Sequence, residues 1–405
     1  MAPHGRRIVN ALAAGLIADY IQMHITCRPL ACRLRSIRFM LPGLKIARAA
    51  KSRLGTVDVD KVAFGDSFSD HMFSMTYDVG RWGEPTITPY GPVSVEPAAI
   101  AIQYAQTVFE GLKAYRAPDR SLRLFRPDRN AARLRASCER LCIPPIPAET
   151  FIEAISALVR VDEAWVPDRP GYSLYVRPIV TATDGYIGVR PSKRYRFFII
   201  TAPVAMYFRE GGAGLQLKVE EKLTRAPAEG GLGSAKAAAN YAASLMAGDA
   251  AIREGFDQVL WLDGTHHRFV EEAGLMNVFF AMRGRVMTAP LGDSILPGVT
   301  RESVIALLKD RGVPVEEHPV AIDEVAAAAE RGELDEMFAS GTAAVVTPIG
   351  RLSWRGKDVR AKNAIPGPLA RSLYDELTGI QFGRLPDRHG WTHPITMGSP
   401  APVAA

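Results

Sequence analysis

The stretch Glu229–Tyr241, EGGLGSAKAAANY, constrains this chain more than any other. A single lysine, Lys236, stands among Gly230, Gly231, Gly233, Ser234, Ala235, Ala237, Ala238 and Ala239. An amine set among apolar atoms gives up its proton more readily, because burial disfavours the charged form. A neutral amine attacks aldehydes, and the small neighbours leave room for something flat and bulky. A phosphate loop of the G-x-x-x-x-G-K-[ST] kind does not fit, since Ala235 precedes the lysine and Ala237 follows it. The dinucleotide fingerprint G-x-G-x-x-G fails at Lys236, where its last glycine belongs. Taken alone, the stretch is equally a flexible Gly/Ala loop with a surface lysine.

The chain has 405 residues, enough for two ordinary domains or one large domain with an extension. Its net charge of +6 is unevenly placed. Residues 1–55 hold ten basic residues and one acidic residue, Asp19; that segment carries +9 and the remainder −3. The basic balance belongs to the extension, so it gives no warrant for a nucleic-acid-binding domain. The extension is expected to be poorly ordered, or to precede a later start at Met23, Met40 or beyond; its Arg-rich, acid-poor composition also suits an organellar transit peptide. Cys27, Cys32, Cys138 and Cys142 form no C-x-x-C pair, and His266 and His267 lack a third ligand, so no metal site is expected. Cys138 and Cys142, four apart in a helical pattern, are expected as free thiols on one face, in a reducing compartment and hence the cytoplasm. No apolar run approaches ~20 residues, so no membrane-spanning helix is expected.

Hydrophobic periodicity predicts strands at Phe73–Val79, Thr107–Tyr115, Leu122–Phe125, Tyr172–Val180, Arg196–Ala202, Leu215–Glu220, Gln258–Leu262, Phe269–Glu272, Asn277–Met282 and Arg285–Thr288. It predicts helices at Asp128–Leu141, Ala148–Ala164, Tyr241–Glu254, Thr300–Arg311 with Thr300 as N-cap, Ala321–Arg331 and Pro366–Gly379. A glycine cluster at Gly211, Gly212 and Gly214 marks a boundary. The reading is an α+β chain of two domains: residues 56–203 small, 204–214 a linker, 215–405 large. Hairpin-type pairings outnumber strand–helix–strand units, which argues against a doubly wound sheet.

Several stretches resemble one family together, and in its order. They are Phe109-Glu110-Gly111-Leu112-Lys113-Ala114-Tyr115, Leu124-Phe125-Arg126-Pro127, Leu174-Tyr175-Val176-Arg177-Pro178, Lys236 with Asn240-Tyr241, and Gln258-Val259-Leu260-Trp261-Leu262. Glu272 with Met276-Asn277-Val278-Phe279, Ile295-Leu296-Pro297-Gly298-Val299-Thr300, Gly341-Thr342-Ala343 and Ile380-Gln381-Phe382-Gly383 continue the match. They resemble the branched-chain amino acid aminotransferases, fold-type IV enzymes of D-amino acid aminotransferase-like fold that use pyridoxal 5'-phosphate (PLP).

The resemblance implies roles. Lys236 is the Schiff-base lysine and proton shuttle, Glu272 faces the ring nitrogen, and Tyr241 bonds the ring oxygen. Arg133, the backbone of Val299 and Thr300, and the hydroxyl of Thr342 hold the phosphate. Phe64, Tyr104, Tyr175, Val189 and Tyr207 line an apolar substrate pocket, Ala343 offers a backbone N–H to the α-carboxylate, and Arg177 meets the second carboxylate of glutamate. A homodimer acting on amino acids and 2-oxo acids is implied, with leucine, isoleucine and valine as donors and 2-oxoglutarate as acceptor. Departures exist: Ala238 and Ala239 stand where the family commonly has glycines, Leu275 replaces a small or hydroxylated residue, and Ala344 and Thr347 occupy the place of a redox C-x-x-C. A D-amino acid aminotransferase, an aminodeoxychorismate lyase-like enzyme and a weakly active PLP-binding protein remain the competing readings.

Overall fold

The computed structural model describes residues 41–61, 64–205, 212–227 and 229–396. Two large sheets organise them. The first runs in the order Lys45–Ile46, Thr86–Pro89, His71–Asp78, Tyr195–Val204, Ser173–Ala182, Leu112–Arg116, Leu122–Phe125, Thr392–Ile395. Its pairings are antiparallel except at the Lys45–Ile46 edge. The helices Pro127–Arg140 and Ala148–Val161 turn Leu134, Cys138, Phe151, Ile155 and Leu158 into one core with Phe73, Leu124, Val176 and Phe197 of the sheet. Apolar side chains recurring along one helix stripe and alternating along the strands dictate that layer.

The second sheet closes on itself. Val270–Ala273 pairs with Gln258–Leu262 on one side and Met276–Met282 on the other. The ring continues through Leu334–Gly341, Val345–Trp354 and Leu215–Glu220 back to Gln258–Leu262. Leu217, Leu260, Val278, Met337, Ala339 and Leu352 fill it. A third cluster joins Tyr115 and Phe125 of the first sheet, and Trp391 just before its last strand, to Phe279 and Phe338 of the second and to Leu307, Leu373 and Leu377 of the covering helices Val299–Asp310 and Pro368–Gln381.

Four expectations change. Residues 41–55, expected to be poorly ordered, are folded: Lys45 and Ile46 pair with Thr86 and Ile87, Ala49 N donates to His71 Nε2 at 2.9 Å, and Arg53 N donates to Asp70 at 2.8 Å. A short, charged edge segment had too short an apolar period to register in sequence. The strand expected over Thr107–Tyr115 breaks into Thr107–Phe109 and Leu112–Arg116 at an irregularity where Glu110 keeps its N–H on the Pro178 carbonyl and its side chain goes to Arg133. Thr392–Ile395, placed by sequence in the second domain, returns to the first sheet beside Leu122–Phe125. Cys138 is buried but Cys142 is exposed, since the helix ends at Arg140 and Cys142 takes a φ of 54°.

Residues 206–211, and with them Tyr207, lie outside the described residues. Among the described residues no helix is long and apolar enough to cross a membrane, and no group of three or more His, Cys, Asp and Glu could hold a metal ion.

Candidate active site

The lysine stretch is pinned through its backbone. Lys236 N donates to Ser137 Oγ at 2.9 Å, and its carbonyl accepts from Phe109 N at 3.0 Å. Asn240 Nδ2 donates to the carbonyls of Leu232 and Ala235 at 2.7 and 2.9 Å, closing the loop on itself. Gly233 admits no side chain, because a Cβ there would lie 2.2 Å from the Ser294 carbonyl oxygen. Ala238–Ala243 then forms a helix that includes Ala238 and Ala239. Neither alanine has a positive φ, so both fit without backbone strain and favour the helix over glycine.

Lys236 Nζ donates to Tyr241 Oη at 2.8 Å and lies 4.9 Å from the centre of the Phe109 ring. Burial, then the Arg133 guanidinium, push the amine down to about 8. Burial lifts the Tyr241 phenol to about 12, with the Glu272 charge adding to the effect, so it stays a neutral hydroxyl. The Phe109 ring also carries the Arg177 guanidinium at 4.7 Å and packs 4.8 Å from the Tyr241 ring. Arg177 Nη2 donates to Tyr175 Oη at 2.9 Å, and Phe64 meets Tyr175 edge-on at 4.9 Å.

Arg133, on the helix Pro127–Arg140, and Glu272, on the strand Val270–Ala273, approach the same space. Arg133 forms a bidentate pair with Glu110, at 2.7 and 2.8 Å, and donates to the Pro297 carbonyl at 3.0 Å. Those bonds use three of the roughly five N–H donors a guanidinium carries, so about two remain for an anion. Glu272 pairs with Arg225 Nε at 2.8 Å and accepts from Leu296 N at 3.0 Å. The Arg133 charge acts on Glu272, Tyr241 and Lys236, and the Glu272 charge acts on Tyr241, so the four groups share one electrostatic environment. Arg133 and Arg177 both depress the Lys236 amine. This excess of buried positive charge suits a phosphate dianion and a substrate carboxylate.

Val299 and Thr300 open the helix Val299–Asp310, and both are buried. Thr300 is not the N-cap expected; Gly298 takes that place with no side-chain cap bond. A Cβ at Gly298 would fall 2.1 Å from Asn277 Oδ1, so close packing under this helix start decides the residue. The first N–H groups are thus left uncapped by side chains, as an anion requires. Thr342 Oγ1 donates to the Gly111 carbonyl at 3.1 Å, and the Ala343 carbonyl accepts from Lys113 Nζ at 2.9 Å.

Amino-transferase class IV is the family whose sequence model matches, over residues 107–352. The chain belongs to the class IV aminotransferases. It is 47% identical over 336 residues to branched-chain-amino-acid aminotransferase 2 of Bacillus subtilis, covering 83% of this chain and 92% of that relative. It is 46% identical over 334 residues to a branched-chain-amino-acid aminotransferase of Mycobacterium tuberculosis, covering 81% and 90%. Its fold is similar to the branched-chain amino acid aminotransferase of Thermobaculum terrenum in its PLP form, with a TM-score of 0.66, 26% identity, and coverage of 81% of this chain and 99% of that one. The resemblance read from the motifs and the fold-type IV architecture are therefore borne out, and PLP is the cofactor of this class IV aminotransferase.

Two of the pocket residues read from this family's pattern stand apart. Val189 is 85% exposed, and Tyr104, also exposed, spends its hydroxyl on the Ile187 carbonyl. Conversely, the sequence reading missed Phe109, Glu110, Lys113 and Arg225 as site residues. The first three lie inside a quoted motif, but nothing local told which side chains face the lysine. Arg225 had no local signal at all; only the closed barrel brings it to Glu272.

Proposed function

We propose that this class IV aminotransferase is a branched-chain-amino-acid transaminase. It moves the amino group of leucine, isoleucine or valine to 2-oxoglutarate, releasing the branched 2-oxo acid and glutamate. The observation that carries this reading is the Lys236 amine, lowered to about 8 and hydrogen-bonded to Tyr241, in a chain so similar to named branched-chain enzymes.

Bound PLP supplies an aldehyde that takes the amino group and a ring that accepts the electrons left at the α-carbon. Lys236 removes the α-proton and returns it, a task suited to an amine titrating near the working pH. Glu272, buried and lifted by that burial, holds the proton of the ring nitrogen. Tyr241 donates its hydroxyl to the ring oxygen. Arg133 and the Val299 and Thr300 N–H groups hold the phosphate, and the Thr342 hydroxyl joins them by turning its proton from the Gly111 carbonyl. The Ala343 N–H takes the α-carboxylate. Phe64 and Tyr175 with Phe109 give hydrocarbon surface for the branched side chain, and Arg177 swings to the distal carboxylate of glutamate.

Tyr104 and Val189 belong to an exposed apolar group with Ile102 and Ile187. Such a patch fits a homodimer in which one subunit's loop lines its partner's pocket. The buried free thiol of Cys138 accords with a cytoplasmic setting.

The test is direct. Purified protein with PLP, leucine and 2-oxoglutarate should yield 4-methyl-2-oxopentanoate and glutamate in equal amounts. Activity confined to D-amino acids, or none with leucine, would overturn the reading.

A further inference from the structure

Lys113 is 6% exposed, yet among the described residues no carboxylate pairs with it. A buried cation without a counter-charge is costly, and methionine would fill the same volume without that cost. Among the described residues its one hydrogen-bond partner is the Ala343 carbonyl, at 2.9 Å. Burial alone pushes the amine down to about 8.

The turn it grips is held at two further points. Thr342 Oγ1 donates to the Gly111 carbonyl at 3.1 Å, and Thr347 Oγ1 donates to the Ala344 carbonyl at 3.1 Å. Lys113 also faces Tyr175 across the strand pair, so the two side chains share one face of the sheet. A peptide unit is planar, so the ammonium's grip on the Ala343 carbonyl fixes the plane of the peptide that follows Ala343. Ala343, whose own N–H is assigned to the carboxylate, is thereby held between the anchored Thr342 side chain and an anchored peptide.

We propose that Lys113 is a positioning residue for the substrate α-carboxylate: it fixes the Thr342–Ala344 turn that receives it. The inference rests on the transaminase reading above, and it concerns the group every substrate shares rather than the side chain that distinguishes them.

Lys113→Met and Lys113→Arg in the PLP-loaded enzyme test it. Binding of 4-methylpentanoate, which has the carboxylate but no amine, is followed by the cofactor's visible absorption, with 4-methylpentan-1-ol as the carboxylate-free control. Steady-state kinetics are taken for leucine, valine and glutamate. Lys113→Met should weaken 4-methylpentanoate about tenfold or more, the scale of a lost charged hydrogen bond. It should lower kcat/KM for all three amino acids by one common factor, leave the leucine-to-valine ratio and PLP retention unchanged, and not affect the alcohol. Lys113→Arg should recover most of the loss. A folded Lys113→Met enzyme that binds 4-methylpentanoate within about twofold of wild type, or that loses leucine and glutamate unequally, overturns the proposal. Should the methionine variant not fold, Lys113→Gln gives the same comparison. Failure of wild type to turn over leucine would sink the transaminase reading instead, and the ratio of 4-methylpentanoate affinities would still decide the role of Lys113.

Discussion

Two buried glutamate–arginine pairs flank the site, one from each sheet, and their carboxylates behave in opposite ways. Glu110 accepts two bonds from Arg133, one from Asn130 Nδ2 at 2.8 Å and one from Gly111 N at 3.1 Å. Those charges and donors overcome its burial and hold it below the usual carboxylate range. Glu272 has a single-nitrogen contact with Arg225, one backbone N–H and a long contact from Asn277 at 3.5 Å. There burial outweighs the Arg225 charge, and the carboxyl is lifted. The same two residue types thus do different work. Glu110 is spent on aiming Arg133, whereas Glu272 keeps the basicity that its proposed role at the ring nitrogen needs.

The strongest way to break this contrast is Glu272→Gln, which keeps shape and removes basicity. It should lower kcat with leucine by about 10²-fold or more, the scale of a lost acid–base partner, while PLP stays bound; kinetics and the cofactor's absorption measure both. Glu110→Gln should leave Arg133 buried without its counter-charge. It is expected to cost about 3–5 kcal/mol of apoprotein stability in denaturant titration, and to loosen PLP more than it slows a loaded enzyme.

pH sharpens the same contrast. The lowered folded pKa of Glu110 gives stability that is present above its unfolded pKa and fades as pH falls through the folded value. The raised pKa of Glu272 works the other way: its burial costs stability above the folded pKa and that cost is relieved in acid. Glu110→Gln should therefore flatten the acid limb of apoprotein melting, whereas Glu272→Gln, which also leaves Arg225 without its counter-charge, should steepen it; matching profiles for the two variants would contradict the difference.

Lys113 obeys related linkage. Its folded amine releases a proton near 8 and its unfolded amine near 10.5, so the folded state binds fewer protons between those values and stability climbs with pH there. Below that window the penalty is full, on the order of 3 kcal/mol, partly offset by the Ala343 bond. Lys113→Met should melt higher than wild type at pH 7, with the gain shrinking above pH 8. The smallest effect concerns the loop between the two pairs. Ala238→Gly or Ala239→Gly, restoring the family's commoner residue, should cost only about 0.5–1 kcal/mol through helix propensity.

Much of the fold was legible because its signals are local. The strands Leu215–Glu220, Gln258–Leu262 and Arg285–Thr288 fall where alternation and turn residues placed them, and the helix Pro127–Arg140 differs by a residue at each end. The break at Glu110 was not legible, since an alternating pattern continues through it while the side chain turns to Arg133. Nor was the fold of residues 41–55, whose partners His71, Thr86 and Ile87 lie far along the chain.

The sequence by itself determined the family and the reactive amine, because motif order and the small residues around Lys236 are properties of the string. It also determined which acids and bases were available. Tertiary structure alone decided their states: ring closure brought Arg225 to Glu272, the first sheet delivered Glu110 to Arg133, and Lys113 reached Ala343 across 230 positions. The reason is that ionisation depends on burial and on neighbours within a few ångströms, and neither quantity is written along the chain.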